Sequence, residues 1–164
     1  MRHKKSVHWL VFAALFASFA AGAAPLQLQV SGKISTYTNA ATHEYDLNEE
    51  QILAMKQASI RTSTNWTQSM NFTGFLVTDL LKKIGATGSQ LEIHCLDGYV
   101  YTVPIYEMQK FGVILAYERD GKRMAVKDYG PLGLIYPRDQ HPSELSGPAT
   151  DAKFMWQVSR MIVK

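Results

Sequence analysis

Alternating apolar and polar residues predict strands along most of the chain. The alternation is clear over residues 26–30 and again over residues 154–163, which predicts a first and a last strand. Residues 58–66 predict a second, more polar strand, and the apolar stretch LGLIYP, residues 132–137, predicts another. We therefore expect a domain in which strands outnumber helices.

Two Asp-Gly pairs predict tight hairpins. Asp97-Gly98 lies between two strand-like runs in LEIHCLDGYVYTVP, and Asp120-Gly121 lies between two more in GVILAYERDGKRM. Asp-Gly suits a two-residue turn because glycine takes positive φ without steric cost. We expect an antiparallel strand pair at each place.

Two short helices are predicted between the strands. Asp46 is the predicted N-cap of the first, with Glu49 three residues later as in a capping box. The apolar side of that helix is formed by Ile52, Leu53 and Met55. A turn over residues 72–75, which contains Gly74, then leads to the second helix.

The second helix has the clearer apolar stripe, at a spacing of three to four residues. Gly85 ends it, and residues 138–152, rich in proline and glycine, predict a long loop near the carboxyl terminus. The stripe consists of Leu76, Leu80, Leu81 and Ile84. The overall pattern is that of a single α+β domain, rich in strands, with two small helices.

Residues 1–23 have the pattern of a cleavable signal peptide. A basic start without acidic residues is followed by an apolar run over residues 10–21 and by Ala21-Gly22-Ala23, which suits cleavage after Ala23. We expect export to the periplasm, with residues 24–164 forming the mature domain. The apolar run is too short for a membrane-spanning helix.

Charge and cysteine content exclude several functional classes. Three of the 17 lysines and arginines lie in the leader, so the rest of the chain balances its 14 acidic residues, and nothing favours nucleic-acid binding. The single cysteine, Cys95, rules out an internal disulfide and a multi-cysteine metal site. Signatures of serine hydrolases, zinc proteases and phosphate-binding loops are absent from the sequence.

Five motifs, in order, resemble the molybdopterin-binding domain of the sulfite oxidase family over residues 26–164. They are NFTGFLVTDLLKKIGA, LDGYVYTVP, ILAYERDGKRM, YGPLGLIYP and FMWQVSRMIV. Each motif is weak alone, but five at compatible spacing indicate the fold more than the activity. The resemblance implies a mixed, mostly antiparallel, barrel-like β core with short helices.

The chain differs from the catalytic members of that family at the residue that binds the metal. Those members hold molybdenum through a cysteine thiolate, and counting back from Trp66 and from Gly74 places the corresponding residue at Thr62. A threonine hydroxyl is a poor replacement for a soft thiolate. Gly133 stands where the enzymes commonly carry an arginine, and Cys95 stands one hairpin later, where the family has a small pocket residue. We therefore expect no molybdenum.

The resemblance still implies a site for the organic part of the cofactor, a pterin. A pterin needs an aromatic stacking face, a carboxylate for its paired donors and hydroxyl or backbone groups for the rest. Trp66 is the predicted stacking face, Asp97 the predicted carboxylate, and Arg61 a partner for the ring carbonyl or a ligand hydroxyl. The predicted pterin-binding residues are Arg61, Thr62, Ser63, Thr64, Trp66, Cys95, Asp97, Tyr99 and Arg138.

Several of these residues have an equally simple structural interpretation. Trp66 suits the core or its rim, Asp97 suits the hairpin turn, and Cys95 suits a small buried apolar position. Tyr99 suits core, rim or pocket wall. Arg138 suits either a solvated charge or the pocket mouth.

The sequence does not show which side chains of residues 61–66 point into the pocket, because this depends on the phase of the strand. Alternation points Arg61 and Ser63 to one side and Thr62, Thr64 and Trp66 to the other, unless a bulge intervenes. Ser63 and Thr64 also suit outward strand positions, and Arg61 suits a pair with a surface acid.

Small periplasmic members of this fold are pterin-binding regulators, which implies a function here. We expect a non-catalytic sensor of neopterin or a tetrahydropterin. Its partner would be the periplasmic domain of an inner-membrane GGDEF/EAL-type enzyme of cyclic di-GMP turnover, a system that regulates biofilms. The alternatives are a molybdenum oxidoreductase of the sulfite oxidase family and a scaffold module that binds no ligand.

Overall fold

The computed structural model describes residues 24–164, so the predicted leader and its cleavage site lie outside the described residues. This part of the chain forms short strands interrupted by four short helices. The strands are β1 (Leu28–Gly32), β2 (Tyr45–Leu47), β3 (Gln57–Thr62), β4 (Met70–Leu76), β5 (Gln90–Cys95), β6 (Val100–Pro104), β7 (Ile114–Arg119), β8 (Lys122–Arg123), β9 (Gly133–Ile135), β10 (Met155–Trp156) and β11 (Val158–Val163). The helices are α1 (Glu49–Leu53), α2 (Val77–Lys83), α3 (Ile105–Phe111) and α4 (Pro148–Asp151), with 3-10 turns at Val126–Asp128 and Arg138–Gln140.

The strands pair into two sheets. The first sheet has the order β2-β1-β11-β5-β6, and the second has the order β10-β9-β7-β4-β3, with β8 also paired to β7. β1 and β11 are parallel, and the other described pairs are antiparallel. The prediction of an α+β domain with a mixed, mostly antiparallel core is confirmed.

Apolar side chains from both sheets and from the helices form one continuous core. Fully buried members include Val30, Phe72, Leu91, Leu115 and Met161, which come from five different strands. Burial of such side chains is the main favourable contribution to folding. No helix within residues 24–164 is long and apolar enough to cross a membrane.

The hairpins and the second helix form as predicted. β5 and β6 flank Asp97-Gly98, and β7 and β8 flank Asp120-Gly121. α2 buries Leu80 and Leu81 of the predicted stripe, with Ile84 buried as its C-cap, whereas Leu76 ends β4 and is partly buried; Gly85 follows the helix with a φ of 62°. These elements depend on contacts between residues close in sequence, so the local pattern suffices to predict them.

The cap of the first helix was predicted at the wrong residue. Asn48, not Asp46, is the N-cap of α1, and its side chain accepts the N–H of Gln51 at 2.9 Å, while the Gln51 side chain accepts the N–H of Asn48. Asp46 instead lies in β2 opposite Gln29. Both residues are good caps, and the strand pairing of residue 46 decides between them.

The turn predicted over residues 72–75 is also wrong, because these residues lie in the middle of β4. A Cβ on Gly74 would lie 2.0 Å from the carbonyl oxygen of Leu115. The glycine is needed where β7 approaches closely, next to a register shift between Thr73 and Gly74. A glycine in a strand often marks such an approach rather than a turn.

The predicted last strand divides into two. β10 pairs with β9 in the second sheet, whereas β11 pairs with β1 and β5 in the first. Gln157 forms the corner between them with a φ of 57°. Alternation of apolar residues continues through the corner, so the sequence pattern does not reveal it.

Two helices were missing from the prediction. α3 was not predicted although Ile105, Met108 and Phe111 recur at helical spacing, and α4 is a single turn inside the predicted loop of residues 138–152. The strand predicted over residues 58–66 ends at Thr62.

Candidate functional site

Three segments distant in sequence enclose a cavity of about 350 Å³ at one end of the two sheets. The segments are the loop between β3 and β4, the β5–β6 hairpin, and the stretch from the end of α4 into β10. The lining consists of Asn65, Trp66, Cys95, Asp97, Tyr99, Asp151, Ala152, Phe154 and Trp156. Four of the nine predicted site residues, namely Trp66, Cys95, Asp97 and Tyr99, therefore meet at one cavity.

A threonine-centred turn positions Trp66 at the edge of the cavity. The hydroxyl oxygen of Thr64 accepts the backbone N–H groups of Trp66 at 3.1 Å and of Thr67 at 3.0 Å, and the N–H of Thr64 donates to the carbonyl of Thr67 at 3.0 Å. Such local hydrogen bonds compete with strand pairing and end β3. The indole of Trp66 is 63% exposed, so its face remains available to a ligand.

The hairpin turn leaves part of the Asp97 carboxylate available. One of its oxygens accepts the N–H of Tyr99 at 2.9 Å, which is the turn-stabilising role expected of an Asp-Gly hairpin. The other oxygen has no hydrogen-bond partner among the described residues, and the side chain is exposed beside the cavity. One oxygen of Asp97 therefore stabilises the turn, and the second is available to a ligand.

Cys95 contributes a neutral thiol to the cavity. Burial, with a smaller effect from the charge of Asp97, raises the pKa of Cys95 to about 12. The thiol is therefore protonated at neutral pH, and a protonated thiol is neither a good nucleophile nor a good metal ligand.

Tyr99 closes the cavity against the carboxyl-terminal segment. Its hydroxyl donates to the carbonyl of Ala152 at 3.2 Å, and its ring stacks on Tyr101 with the centroids 6.3 Å apart. Partial burial, followed by the neighbouring Tyr101 and Cys95, raises the pKa of Tyr99. It therefore acts as a neutral hydrogen-bond donor at neutral pH.

Two ion pairs hold the carboxyl-terminal wall of the cavity. The guanidinium of Arg138 donates to the carboxylate of Asp151 and lies 4.6 Å from the ring centre of Phe154. The ammonium of Lys153 contacts both oxygens of the buried Glu107 carboxylate at 2.8 and 3.0 Å. Arg138 is thus placed behind the wall and bound to it.

The Glu107 carboxylate also accepts the hydroxyl of Tyr136 at 3.1 Å. Burial and the charge of Glu107 raise the pKa of Tyr136 above its usual range. This cluster ties α3 and the segment after β9 to the wall.

The remaining predicted residues lie outside the lining of the cavity. Thr62 is fully buried, and its hydroxyl accepts the N–H of Asp139 at 3.1 Å and donates to the carbonyl of Ser63 at 3.2 Å. Ser63 donates its N–H and its hydroxyl to the Asp139 carboxylate at 2.9 and 2.5 Å. Arg61 is exposed on β3 opposite Asn71. Within residues 61–66, therefore, only Asn65 and Trp66 line the cavity, and of these only Trp66 was predicted.

Five lining residues were not among the predicted site residues. Asn65 lies in the strand predicted over residues 58–66, and the others, Asp151, Ala152, Phe154 and Trp156, lie in the predicted loop and last strand. Asp151, Phe154 and Trp156 reach the cavity because the chain turns between the sheets at this point. The Trp156 ring lies close to Gly133, and a Cβ added at Gly133 would be 3.1 Å from the ring. The indole N–H of Trp156 is buried and has no hydrogen-bond partner in the described structure. The aromatic residues of the FMW stretch, residues 154–156, were the sequence signal that could have indicated this part of the lining.

A second, larger cleft of about 1180 Å³ lies between β1, β2 and the start of the described chain. Its polar lining is dominated by side-chain amides, and none of the nine predicted site residues contributes to it. We regard the smaller cavity as the candidate site because it joins an aromatic face, a carboxylate and an unpaired donor.

The side chains at the cavity do not suit molybdenum. Among the residues that the structure describes, no three His, Cys, Asp or Glu side chains group as metal ligands. The only thiol, Cys95, lies one hairpin away from the position that the resemblance assigns to the metal ligand, and the hydroxyl of Thr62 at that position is engaged with the backbone. The expectation that molybdenum does not bind stays a prediction.

Comparison with known proteins identifies a domain type. A family model described as the oxidoreductase molybdopterin binding domain matches residues 24–139. A comparison with curated proteins gives no match to the chain. The matched range contains the two hairpins and the loop that carries Trp66.

Proposed function

The chain belongs to the oxidoreductase molybdopterin-binding domain family, and we propose that within it this protein binds a pterin without catalysing a reaction. The family match accounts for the fold and for a pterin-type ligand. The proposal adds that the ligand is a free pterin, of the neopterin or tetrahydropterin type, and that its binding is sensed rather than followed by chemistry.

The meeting of Trp66 and Asp97 at one cavity is the observation that carries the proposal. A pterin is a flat bicyclic ring whose edge presents an amino group, a ring N–H and a carbonyl. The exposed indole of Trp66 supplies a stacking face, and the second oxygen of Asp97 accepts from the donor edge. A cavity of about 350 Å³ lies at the small end of the range for ligand pockets, which suits a ring system with a short side chain.

The position of Thr62 supports the absence of catalysis. The family resemblance places the molybdenum-binding thiolate of the enzymes at this residue, and here its hydroxyl bonds to the backbone on both sides. The chain uses this position to attach β3 to the turn at Arg138–Gln140 rather than to hold a metal.

The leader and the motif series support a regulatory role in the periplasm. In this proposal the partner is the periplasmic domain of an inner-membrane enzyme of cyclic di-GMP turnover, of the GGDEF/EAL type. This partner follows from the resemblance to small periplasmic pterin-binding regulators.

Calorimetric titration of the purified protein with neopterin and with a reduced pterin, under anaerobic conditions, tests the proposal. We expect saturable binding at one site, weakened at least tenfold in Trp66→Ala, which corresponds to about 1.4 kcal/mol. Tyr106→Ala is the matched control, since Tyr106 lies on α3 outside the cavity lining and is 65% exposed, as Trp66 is 63% exposed. The control variant should bind as the unmodified protein does.

Two results would contradict the proposal. The absence of heat with either pterin, in protein shown to be folded by circular dichroism, would favour a scaffold module. Molybdenum present at one atom per chain by mass spectrometry would favour the molybdenum oxidoreductase instead.

A further inference from the structure

The candidate site carries negative charge and no positive charge in its lining. Asp97 and Asp151 both contribute carboxylates to the cavity wall, and none of the other lining residues is basic. Asp97 has no basic side chain within ion-pair distance among residues 24–164. Its charge is therefore available to act on a ligand.

The basic residues next to the wall are already paired. Arg138 donates to Asp151 and lies against Phe154, and its side chain is only 17% exposed. Lys153 is held by both oxygens of Glu107. Lys153 meets an anionic group of a ligand only if it first leaves Glu107, and the Nε of Arg138, which has no hydrogen-bond partner in the described structure, is buried.

Phosphate-binding sites have the opposite character. They use arginine or lysine, helix N-termini or successive backbone N–H groups to meet an anion of charge close to −2 at neutral pH. The Asp97 carboxylate, which has no cationic partner, would repel such a group, and Asp151 occupies the Arg138 guanidinium that would otherwise attract it. The repulsion is strengthened by the low dielectric of a partly enclosed cavity. The amino and ring N–H donors of a pterin are favoured by the same carboxylates.

We infer that this site selects pterins whose side chain is not phosphorylated, and that Asp151 and Asp97 are the residues that determine this specificity. The inference rests on the proposed function and narrows it. The phosphorylated side chain of a molybdopterin is disfavoured by the same charges. Arg138 stabilises the cavity wall as the ion-pair partner of Asp151 and does not contact the ligand.

The test compares neopterin with its side-chain monophosphate ester, which carries an added, negatively charged phosphate group on the same side chain. Both are titrated calorimetrically into the purified protein, and the measured quantity is the ratio of their dissociation constants. We expect the ester to bind at least tenfold more weakly than neopterin. In Asp151→Asn, which removes one carboxylate charge and releases Arg138, this ratio should fall at least threefold.

Glu144→Gln is the matched control. It removes the same charge from an exposed carboxylate that pairs with Lys110 and lies outside the cavity lining. The ratio should not change in this variant. A second measurement repeats the titrations from about 20 mM to about 500 mM salt, where screening should reduce the ratio if it arises from charge.

The outcomes separate the inference from the proposed function. If the ester binds as tightly as neopterin, the charge selection is wrong while pterin binding stands. If the ester binds more weakly but the ratio responds neither to salt nor to Asp151→Asn, size rather than charge excludes it, and the inference is again wrong. If neither probe binds to folded protein, the proposed function fails and the inference falls with it.

Discussion

The hydroxyl oxygen of Thr62 accepts the backbone N–H of Asp139 at 3.1 Å, which joins the end of β3 to a turn 77 residues later in the chain. The Asp139 carboxylate in turn accepts two hydrogen bonds from Ser63. The two reciprocal links hold the strand that precedes Trp66 against the turn that carries Arg138. Thr62, the position that the resemblance to the sulfite oxidase family assigns to the metal ligand, thereby stabilises the scaffold of the cavity.

Removal of the Thr62 hydroxyl should destabilise the protein. Thr62→Val keeps the shape of the side chain but removes the partly buried hydrogen bond from the N–H of Asp139, which should cost about 0.5–1.5 kcal/mol. The free energy of unfolding from urea denaturation measures the loss. Thr102→Val, at an exposed strand position, is the control and should change stability by less than about 0.5 kcal/mol. An equal effect of the two substitutions would refute the role of Thr62.

The Asp139 carboxylate should make stability depend on acid pH. Its pKa is lowered chiefly because the hydroxyl of Ser63 donates to it. A group with a lowered folded-state pKa contributes stability above its unfolded value, about 3.9, and loses that contribution as pH falls through the folded value.

Melting temperatures of the unmodified protein and of Asp139→Asn, measured from pH 6 to pH 2.5, test this dependence. The difference between them should be largest near pH 6 and should shrink below about pH 4. A difference that stays constant across this range would show that the charge of Asp139 does not contribute.

The buried Glu107–Lys153 pair should matter far more than an exposed pair. Glu107→Gln leaves the Lys153 ammonium in a largely buried place without its counter-charge, and loss of one partner of such a pair costs about 3–5 kcal/mol. The Glu107 side chain is 8% exposed, against 44% for Glu144 in its pair with Lys110. Glu144→Gln should therefore lower the free energy of unfolding far less than Glu107→Gln does. Urea denaturation compares the two variants, and similar losses would contradict the prediction.

Cys95 should react slowly with thiol reagents in the folded protein. With a pKa of about 12 it holds very little thiolate at pH 8. We expect Ellman's reagent to modify it at least about a hundredfold more slowly than in the protein unfolded in urea, where the thiol pKa is about 8.5. A folded-state rate within about tenfold of the unfolded rate would mean that the thiol is exposed or activated.

Elements held by short-range contacts could be predicted from the sequence. The Asp-Gly hairpins and the stripe of α2 depend on residues within a few positions of one another, and they form where the pattern places them. The cap of α1 could not be assigned because Asp46 and Asn48 are both good caps, and the pairing of β2 with β1 chooses the second. The spacing of Ile105, Met108 and Phe111 was a local signal for α3, but the burial of Glu107 could not be predicted because its partner Lys153 comes from a distant segment.

The candidate site was likewise predictable from the sequence only in part. Its amino-terminal half could be proposed from sequence, because the motifs around Trp66 and Asp97 are local and resemble those of a known family. The wall formed by Asp151, Phe154 and Trp156 could not, because it exists only where the chain turns at Gln157 from the second sheet into the first. The sequence by itself determined the family, the hairpins and the residues able to stack or accept. The tertiary structure alone decided which of them face one cavity and what charge surrounds it, because both depend on contacts between segments far apart in the chain.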